Sequence, residues 1–465
     1  MVRDTIDMME NVVRTRKNLI VPINTPQNGE YGFRSGSSLV NFFLPSSPTA
    51  LLTNSVKLNF KLRCNKPSST FTSAVLCNNN TNKVGATEYK LLIDERVGCN
   101  ALIDTMTWSS GNSNQTLENI RNYGRMSATT TPYHSSQYNL DGSVQGRNTP
   151  VASRTKTSGN LVNCENFVSM DLKCGLLEGI SDGVVFMGRA GVQGLNLMLQ
   201  LQNDQMVFQS DESDASDAFY SINDVFLTYD SLEFDAETTA ELDNPQASGE
   251  MVFANYSYIY SVINSSDDQQ TLNLGTRNTL SIFSSSVPVS HLNNVKQNSF
   301  STGNFRNATS GIYDSDAILN RISFVRNSQL SPYDYSIDTK TSSLENTPRS
   351  VLINSAKEAL DVLHSTETLI SPATENNLLT RINVDGNEVA SLKSSVSVES
   401  QDNPCIAYGC NFDNVSGVGR DFSGNNTYGL RVESTLSGNA PNALTSFARS
   451  RNTLLYNNGS ISVSS

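Results

Sequence analysis

The sequence is poor in charged residues and has almost no histidine. Asp, Glu, Lys and Arg make up 17% of its 465 residues, against about 25% in an average globular protein, and the net charge is −12. A broad nucleic-acid-binding surface needs clustered cations, yet even residues 1–17 hold only four cations against three acids. We therefore expect no tight, sequence-specific binding of nucleic acid.

Groups that carry out catalysis or bind cofactors are also scarce. The three histidines, His134, His291 and His364, lie far apart, and no P-loop, G-x-S-x-G or H-E-x-x-H motif is present. The sequence therefore predicts no enzyme, with no catalytic residue, cofactor-binding residue, metal ligand or cofactor. The acidic cluster Asp211–Asp217 has carboxylates that suit Ca²⁺, but it lacks the glycine and the distal acid of a known Ca²⁺ loop. A solvated loop is the favoured interpretation, and cation binding stays open.

Cysteine usage and hydropathy argue against a disulfide-stabilised protein and against a protein with a membrane-spanning helix. The seven cysteines are scattered, odd in number and never in a C-x-x-C spacing, which predicts reduced, mostly buried thiols instead of a disulfide framework. No apolar run approaches the roughly 20 residues needed to span a membrane, and the N-terminal residues do not resemble a secretory signal. We expect synthesis in a reducing compartment.

The sequence does contain a series of alternating strands, separated by segments rich in Ser, Thr and Asn. Apolar and polar residues alternate in Val56–Cys64 and in Leu195–Leu201, so each segment predicts a strand with one buried face. Asn457–Ser460 has the composition of a tight turn between two further strands. Helix patterns are few: Thr116–Tyr123, Val351–Leu363 and a weak amphipathic segment near the N-terminus.

An internal repeat indicates that this all-β plan occurs twice. Ala101–Trp108 is echoed by Ala317–Phe324, and Gly194–Leu197 is echoed by Gly429–Val432, in the same order along the chain. The acidic segment Asp235–Gly249, which contains both Pro and Gly, is the predicted linker. The predicted division is therefore an N-terminal arm at 1–25, a first β-sandwich at 26–234, the linker at 235–249 and a second β-sandwich at 250–465.

The order of these segments resembles the double jelly-roll major capsid proteins of DNA viruses, which include those of polinton-like viruses and virophages and the adenovirus hexon. The resemblance covers nearly the whole chain and rests on strand order. Its segments are Ser38–Leu44, Val56–Cys64, Ala101–Trp108, Thr116–Ile120, Phe167–Leu172, Cys174–Leu177, Leu195–Leu201, Tyr220–Val225, Cys405–Asp413, Leu430–Leu436 and Leu454–Val463.

The resemblance implies two tandem jelly-roll β-sandwiches with long loop insertions and a few short helices. It also implies a homotrimer that acts as a pseudo-hexagonal tile of an icosahedral shell. The implied partners are further copies of the chain, minor or penton capsid proteins, or an inner membrane. The implied location is the virion, after synthesis in the host cytoplasm or nucleus. The two long polar segments Ser109–Glu165 and Asn327–Pro404 are expected to form an outward crown on the trimer.

Two other interpretations stay open at this point. A single jelly-roll coat protein of a small single-stranded DNA or RNA virus, with the second half as a projection, would normally carry a strongly basic N-terminal arm, which this chain lacks. A non-viral tandem β-sandwich, such as an adhesin or a carbohydrate-binding protein, would normally show a secretion signal and clustered exposed aromatic residues. This chain has a single tryptophan, Trp108, in an alternating strand.

Overall fold

The fold is seen in a computed structural model of the chain. The structure describes residues 10–34, 37–46, 49–65, 73–77, 88–93, 97–111, 114–130, 164–178, 184–186, 193–208, 218–242, 248–264, 267–272, 274–295, 299–300, 318–330, 337–338, 354–360, 382–384, 387–389, 407–412, 419–423, 428–435, 441–457 and 460–464.

In the first half of the chain, the described residues form twelve strands and four short α-helices. The strands are β1 (Val12–Ile20), β2 (Leu39–Leu44), β3 (Thr49–Leu52), β4 (Lys57–Asn65), β5 (Ser73–Cys77), β6 (Glu88–Leu92), β7 (Ile103–Ser110), β8 (Thr116–Arg121), β9 (Cys164–Asp171), β10 (Val184–Phe186), β11 (Leu195–Leu201) and β12 (Phe219–Phe234). The helices are α1 (Tyr123–Thr130), α2 (Gly175–Glu178), α3 (Asp204–Val207) and α4 (Ala236–Leu242), and 3₁₀ turns cover Gln27–Gly29, Thr53–Ser55 and Gly98–Leu102.

The second half continues with twelve strands. They are β13 (Ser248–Ile263), β14 (Asp267–Leu272), β15 (Thr279–Pro288), β16 (Ile318–Arg326), β17 (Gln329–Leu330), β18 (Ile337–Asp338), β19 (Ile382–Val384), β20 (Asn387–Val389), β21 (Tyr408–Asn411), β22 (Tyr428–Thr435), β23 (Asn442–Asn457) and β24 (Ser460–Ser464). A 3₁₀ turn covers Val289–His291, and 354–359 form one further helical segment.

Each half folds into a sandwich of two sheets with the same strand order. In the first sandwich, sheet A has the order β1-β12-β4-β9, extended by β3 and β10, and sheet B has the order β2-β11-β7-β8. In the second sandwich, sheet C has the order β13-β23-β15-β21, with β24 on β23, and sheet D has the order β14-β22-β16-β17, with β18 on β16. In chain order, the main strands β1, β2, β4, β7, β8, β9, β11 and β12 lie in sheets A, B, A, B, B, A, B and A, and β13–β17 and β21–β23 follow the same order in sheets C and D. This is the strand order of a jelly roll, so the fold is two tandem jelly rolls, as the sequence predicts.

The internal repeat corresponds to equivalent strands of the two sandwiches. Ala101–Trp108 leads into β7 and Ala317–Phe324 into β16, while the second pair of echoes begins β11 and β22. In both sandwiches these two strands are neighbours, but Trp108 pairs with Leu197 whereas Phe324 pairs with Leu430. The echo therefore aligns with a two-residue difference in register. A shift of two residues keeps every side chain of a strand on its original face, and the equivalent residues Trp108 and Phe324 are both buried.

The predicted register of the alternating strands is confirmed. Leu58 and Phe60 are buried at 3% and 1% exposure, while the side chains of Lys57 and Lys61 are 47% and 43% exposed. In β11 the buried positions are Leu195, Leu197, Leu199 and Leu201. The two strands predicted to flank the turn at Asn457–Ser460 do pair, with Asn457 opposite Ser460, and the central residues of that turn lie outside the described residues.

Two sequence-based assignments are wrong in detail, and the predicted linker has local structure of its own. Thr116–Tyr123, predicted as a helix, is the strand β8, because its residues pair with β7, and a helix begins only at Tyr123. The weak amphipathic segment within the predicted arm 1–25 is mostly β1, which pairs with β12 along sheet A. The predicted linker 235–249 contains α4, whose first turn is capped by the Asp235 carboxylate accepting the Thr238 N–H at 2.8 Å.

The two predicted excursions lie largely outside the described residues. The described start of Ser109–Glu165 is not a surface excursion, since it forms β8 and the fully buried helix α1. From Asn327–Pro404 the structure describes β17, β18, β19, β20 and the helical segment at 354–359, which packs against Gly409 of β21.

Candidate functional site

The junction between the two sandwiches is built around α1, all eight residues of which are buried. The hydroxyl groups of Thr129 in α1 and Ser285 in β15 lie 3.1 Å apart. The Arg125 guanidinium donates to the carbonyl oxygen of Ser299 and lies 5.9 Å from the centroid of the Phe300 ring. A helix of the first sandwich is thus bonded to the second sandwich along its length.

A buried carboxylate joins the sandwiches beside this helix. Glu118 of β8 is 1% exposed and accepts the N–H groups of Gly175 and Leu176, each at 2.9 Å, and of Tyr256 at 3.1 Å. Gly175 and Leu176 begin α2 in the first sandwich, whereas Tyr256 lies in β13 of the second. Burial raises the pKa of Glu118 to about 7, against the opposing effect of these three N–H groups and of Cys174.

Backbone of the two sandwiches meets at Gly175. A Cβ atom at this position would lie 2.2 Å from the carbonyl oxygen of Ala254 in β13, a distance that no side chain can occupy. Glycine is therefore required by the close approach of α2 to β13. Gly175 and Glu118 together cover the edge of β13 that does not pair with β23.

The outer face of sheet C carries a row of aromatic residues that this junction buries. Phe283 and Phe447 are fully buried and stack with their ring centroids 5.5 Å apart, and Tyr256 contacts Phe283 edge-on at 6.2 Å. All three belong to the same buried cluster as the core of the first sandwich. The opposite face of sheet C, with Ile282 and Leu444, packs inside the second sandwich. Sheet C is therefore buried on both faces.

The outer face of sheet A is the equivalent surface of the first sandwich, and it is exposed. Phe167 of β9 is 60% exposed, and its ring lies 6.3 Å from that of Phe226 in β12, with β4 between the two strands. Asn59 of β4, which pairs with Phe226 and with Ser169 of β9, is 6% exposed. Around it lie two ion pairs, Lys57–Asp171 at 3.3 Å and Lys61–Asp224 at 2.6 Å. We call this surface, centred on Phe167 and Phe226, the aromatic face of sheet A.

The aromatic face is bordered by β1. This strand pairs with β12 on one side, and among the residues that the structure describes no strand pairs with its other side. Its apolar residues Val13 and Leu19 are 71% and 60% exposed, and Val21 and Ile23, which follow it, are 64% and 66% exposed. An exposed strand edge beside a row of aliphatic side chains is a surface that favours contact with another chain.

The described part of the chain contains few of the side chains that the sequence analysis considered for catalysis or metal binding. Asp211–Asp217, His134 and His364 lie outside the described residues, and His291 lies in the 3₁₀ turn Val289–His291. Within the described ranges no group of three or more His, Cys, Asp or Glu side chains could hold a metal ion. In the same ranges no helix is long and apolar enough to cross a membrane.

The described cysteine side chains and Asp204, a second buried acid, lie in surroundings that indicate a structural role. Cys99, Cys174 and Cys410 are buried and form no disulfide bond. Burial raises the pKa of Cys99 to about 12, so its thiol stays protonated and unreactive. Burial also raises the pKa of Asp204 to about 6, although this carboxylate accepts the Tyr220 N–H at 3.0 Å and lies 3.5 Å from the Arg34 guanidinium. Like Glu118, Asp204 binds backbone and so fixes the chain path.

Sequence reasoning missed Glu118 and Gly175 as junction residues. The one available signal was an acid in the short segment Leu117–Ile120, which was predicted as part of a helix. As a strand, the same segment puts Glu118 and Ile120 on one inward face, where an acid needs buried donors.

Comparisons with known proteins identify the fold. No protein-family model and no curated protein matches the chain. Solved structures match over nearly its whole length. The PBCV-1 virus capsid structure has a TM-score of 0.57 at 10% identity, covering 97% of both chains. The Sputnik virophage structure has a TM-score of 0.53 at 12% identity, covering 98% of this chain and 89% of that chain. The Faustovirus major capsid protein has a TM-score of 0.52 at 8% identity, covering 95% of this chain and 91% of that chain. The shared property is the double jelly-roll fold expected from the sequence.

Proposed function

We propose that the chain is a viral major capsid protein, a non-enzymatic subunit that assembles with copies of itself into an icosahedral shell in the virion. The observation that carries this proposal is the chain-long likeness to double jelly-roll structures, among them a virus capsid, a virophage and a major capsid protein. The two buried acids with raised pKa values also fit a structural role, because both are occupied by backbone N–H groups.

The proposed building block is a homotrimer. Two sandwiches with the same strand order give each chain two similar sides, and three chains then give an outline with six similar sides. Such a tile packs in a hexagonal lattice, which is the arrangement that a large closed shell needs over most of its surface. Minor or penton capsid proteins, or an inner membrane, are the further partners proposed for the positions that trimers leave open.

The internal structure of the second half favours this proposal over a single jelly-roll coat protein. A projection domain has no reason to repeat the strand order of the shell domain, whereas the four main strands of each sheet have the same order in both sandwiches. An adhesin-like tandem sandwich has no need for sheet C to be buried on both faces, since extracellular modules in series usually meet through small interfaces.

Size measurement and electron microscopy of the purified full-length chain test the proposal. We expect a trimer in mass photometry at nanomolar concentration and, at high concentration, pseudo-hexagonal particles that form shells or hexagonal arrays. A particle that stays monomeric from nanomolar to high micromolar concentration would contradict it and would favour the adhesin-like alternative. A salt-sensitive gel shift with nucleic acid at sub-micromolar protein would instead favour the single-stranded virus coat protein.

A further inference from the structure

The contact between the two sandwiches of one chain is made by two different surfaces. The first sandwich contributes α1, α2 and the end of β8, whereas the second contributes the outer face of sheet C and the free edge of β13. Because the two surfaces differ, each sandwich can use one of them to contact the sandwich before it and the other to contact the sandwich after it. Such a head-to-tail series of contacts leaves no unused surface only when the sandwiches close into a ring.

The first sandwich has, on sheet A, an equivalent of the outer face of sheet C, which is the surface of the second sandwich that lies buried in the junction. β1, β12, β4 and β9 hold in sheet A the positions that β13, β23, β15 and β21 hold in sheet C. Both outer faces carry aromatic residues. Phe283 and Phe447 on sheet C are fully buried in a cluster that they share with the core of the first sandwich, whereas Phe167 on sheet A is 60% exposed. Likewise the edge of β13 is covered by Glu118 and Gly175, while β1 leaves Val13 and Leu19 in the open.

From this equivalence we infer that the aromatic face of sheet A, together with the free edge of β1, is the docking surface for the second sandwich of a neighbouring copy of the chain. The inference rests on the proposed function, which supplies the closed trimer. It adds the surface through which the copies meet. When three chains are joined in this way, each of the six sandwiches covers the outer sheet face of one neighbour and has its own outer sheet face covered by the other neighbour. A closed ring of six sandwiches therefore leaves none of these faces exposed.

The aromatic face has the composition of such a contact. Its centre is an aromatic pair, the residue type that dominates the buried centre of protein interfaces. The cations and acids around the pair are matched within the same chain, as in Lys57–Asp171 and Lys61–Asp224, so burying them leaves no lone charge. The edge of β1 is left with backbone groups and aliphatic side chains, which the neighbour can cover as the first sandwich covers β13.

Substitution of Phe167 by Asp tests the inference, with Met198→Asp as the matched control. Met198 is 38% exposed on the outer face of sheet B, so both variants place an acid at an exposed apolar position of a strand in the same sandwich. We expect Phe167→Asp to raise the dissociation constant of the trimer by about 30-fold or more, as loss of a central interface residue does. Met198→Asp should leave it within about threefold. Circular dichroism of each variant verifies the fold.

A second variant keeps the test decisive if Phe167→Asp does not fold. Ser169→Arg leaves the aromatic pair in place and adds bulk to the same outward face of β9, so it should also raise the dissociation constant. If neither face variant weakens a trimer that the unsubstituted chain forms, the inference is wrong and the proposed function stands. If Met198→Asp weakens it instead, the copies meet through sheet B. If the unsubstituted chain forms no trimer at any concentration, the proposed function itself fails.

Discussion

The buried carboxylate of Glu118 gives the sharpest prediction about the junction of the two sandwiches. Burial raises its pKa from 4.5 to about 7. A difference of this size between the folded and unfolded states corresponds to on the order of 3 kcal/mol. The folded state binds the proton more tightly than the unfolded chain does. The contribution of Glu118 to stability is therefore greatest below pH 4.5 and is lost as the pH rises through about 7.

The substitution Glu118→Gln removes this titration and keeps most of the shape of the side chain. Between pH 8 and pH 5, we expect the free energy of unfolding of the unsubstituted chain to rise by about 2–3 kcal/mol relative to that of Glu118→Gln. The amide also turns an N–H donor toward one of the three backbone donors that Glu118 accepts, so the variant no longer satisfies all of them.

Urea denaturation at a fixed protein concentration, repeated from pH 5 to pH 8, measures this difference. Glu237→Gln is the matched control, since Glu237 is an exposed acid in α4 and its loss changes the net charge equally. The control should give a pH profile parallel to that of the unsubstituted chain. Parallel profiles for Glu118→Gln as well would refute the argument that this buried acid titrates within the junction.

Three further changes test other parts of the structure. Gly175→Ala should destabilise the chain by about 1–3 kcal/mol in thermal or urea unfolding, because its Cβ would overlap the Ala254 carbonyl oxygen, and an unchanged stability would show that the close approach is unimportant. Phe60→Ala should cost roughly 3–5 kcal/mol and Met198→Ala about 1 kcal/mol or less, and equal losses would contradict the assigned burial. Deleting residues 1–25 removes β1 and should both destabilise sheet A and weaken the trimer in mass photometry, whereas the arm expected from the sequence would leave trimers intact.

Local patterns predicted the strands and their buried faces well. The alternation in Val56–Cys64 assigns Phe60 to the core because a strand turns every second side chain to the same side. The repeat of Ala101–Trp108 at Ala317–Phe324 revealed the duplication because both segments lie in equivalent strands, β7 and β16, and end in the buried aromatic residues Trp108 and Phe324. In both cases the information lies within a few neighbouring residues.

The junction could not be predicted in the same way because its contacts join distant parts of the chain. The bond from the Tyr256 N–H to Glu118 spans 138 positions, and the contact between Thr129 and Ser285 spans 156. The helical interpretation of Thr116–Tyr123 failed for a related reason. The pattern of apolar residues in so short a segment fits both the helical and the strand periodicity, and pairing with β7 makes the segment a strand. The segment within 1–25 is a strand because β12 offers it an edge.

A reconstruction of the assembled protein by electron cryomicroscopy tests the central claim most directly. We expect a trimer in which six jelly rolls form one ring, and in which the contact between copies repeats the contact between the two sandwiches of one chain. Phe167 and Phe226 of each copy should then be covered by the second sandwich of its neighbour. A monomer, or a trimer in which this aromatic face stays exposed to solvent, would contradict the account.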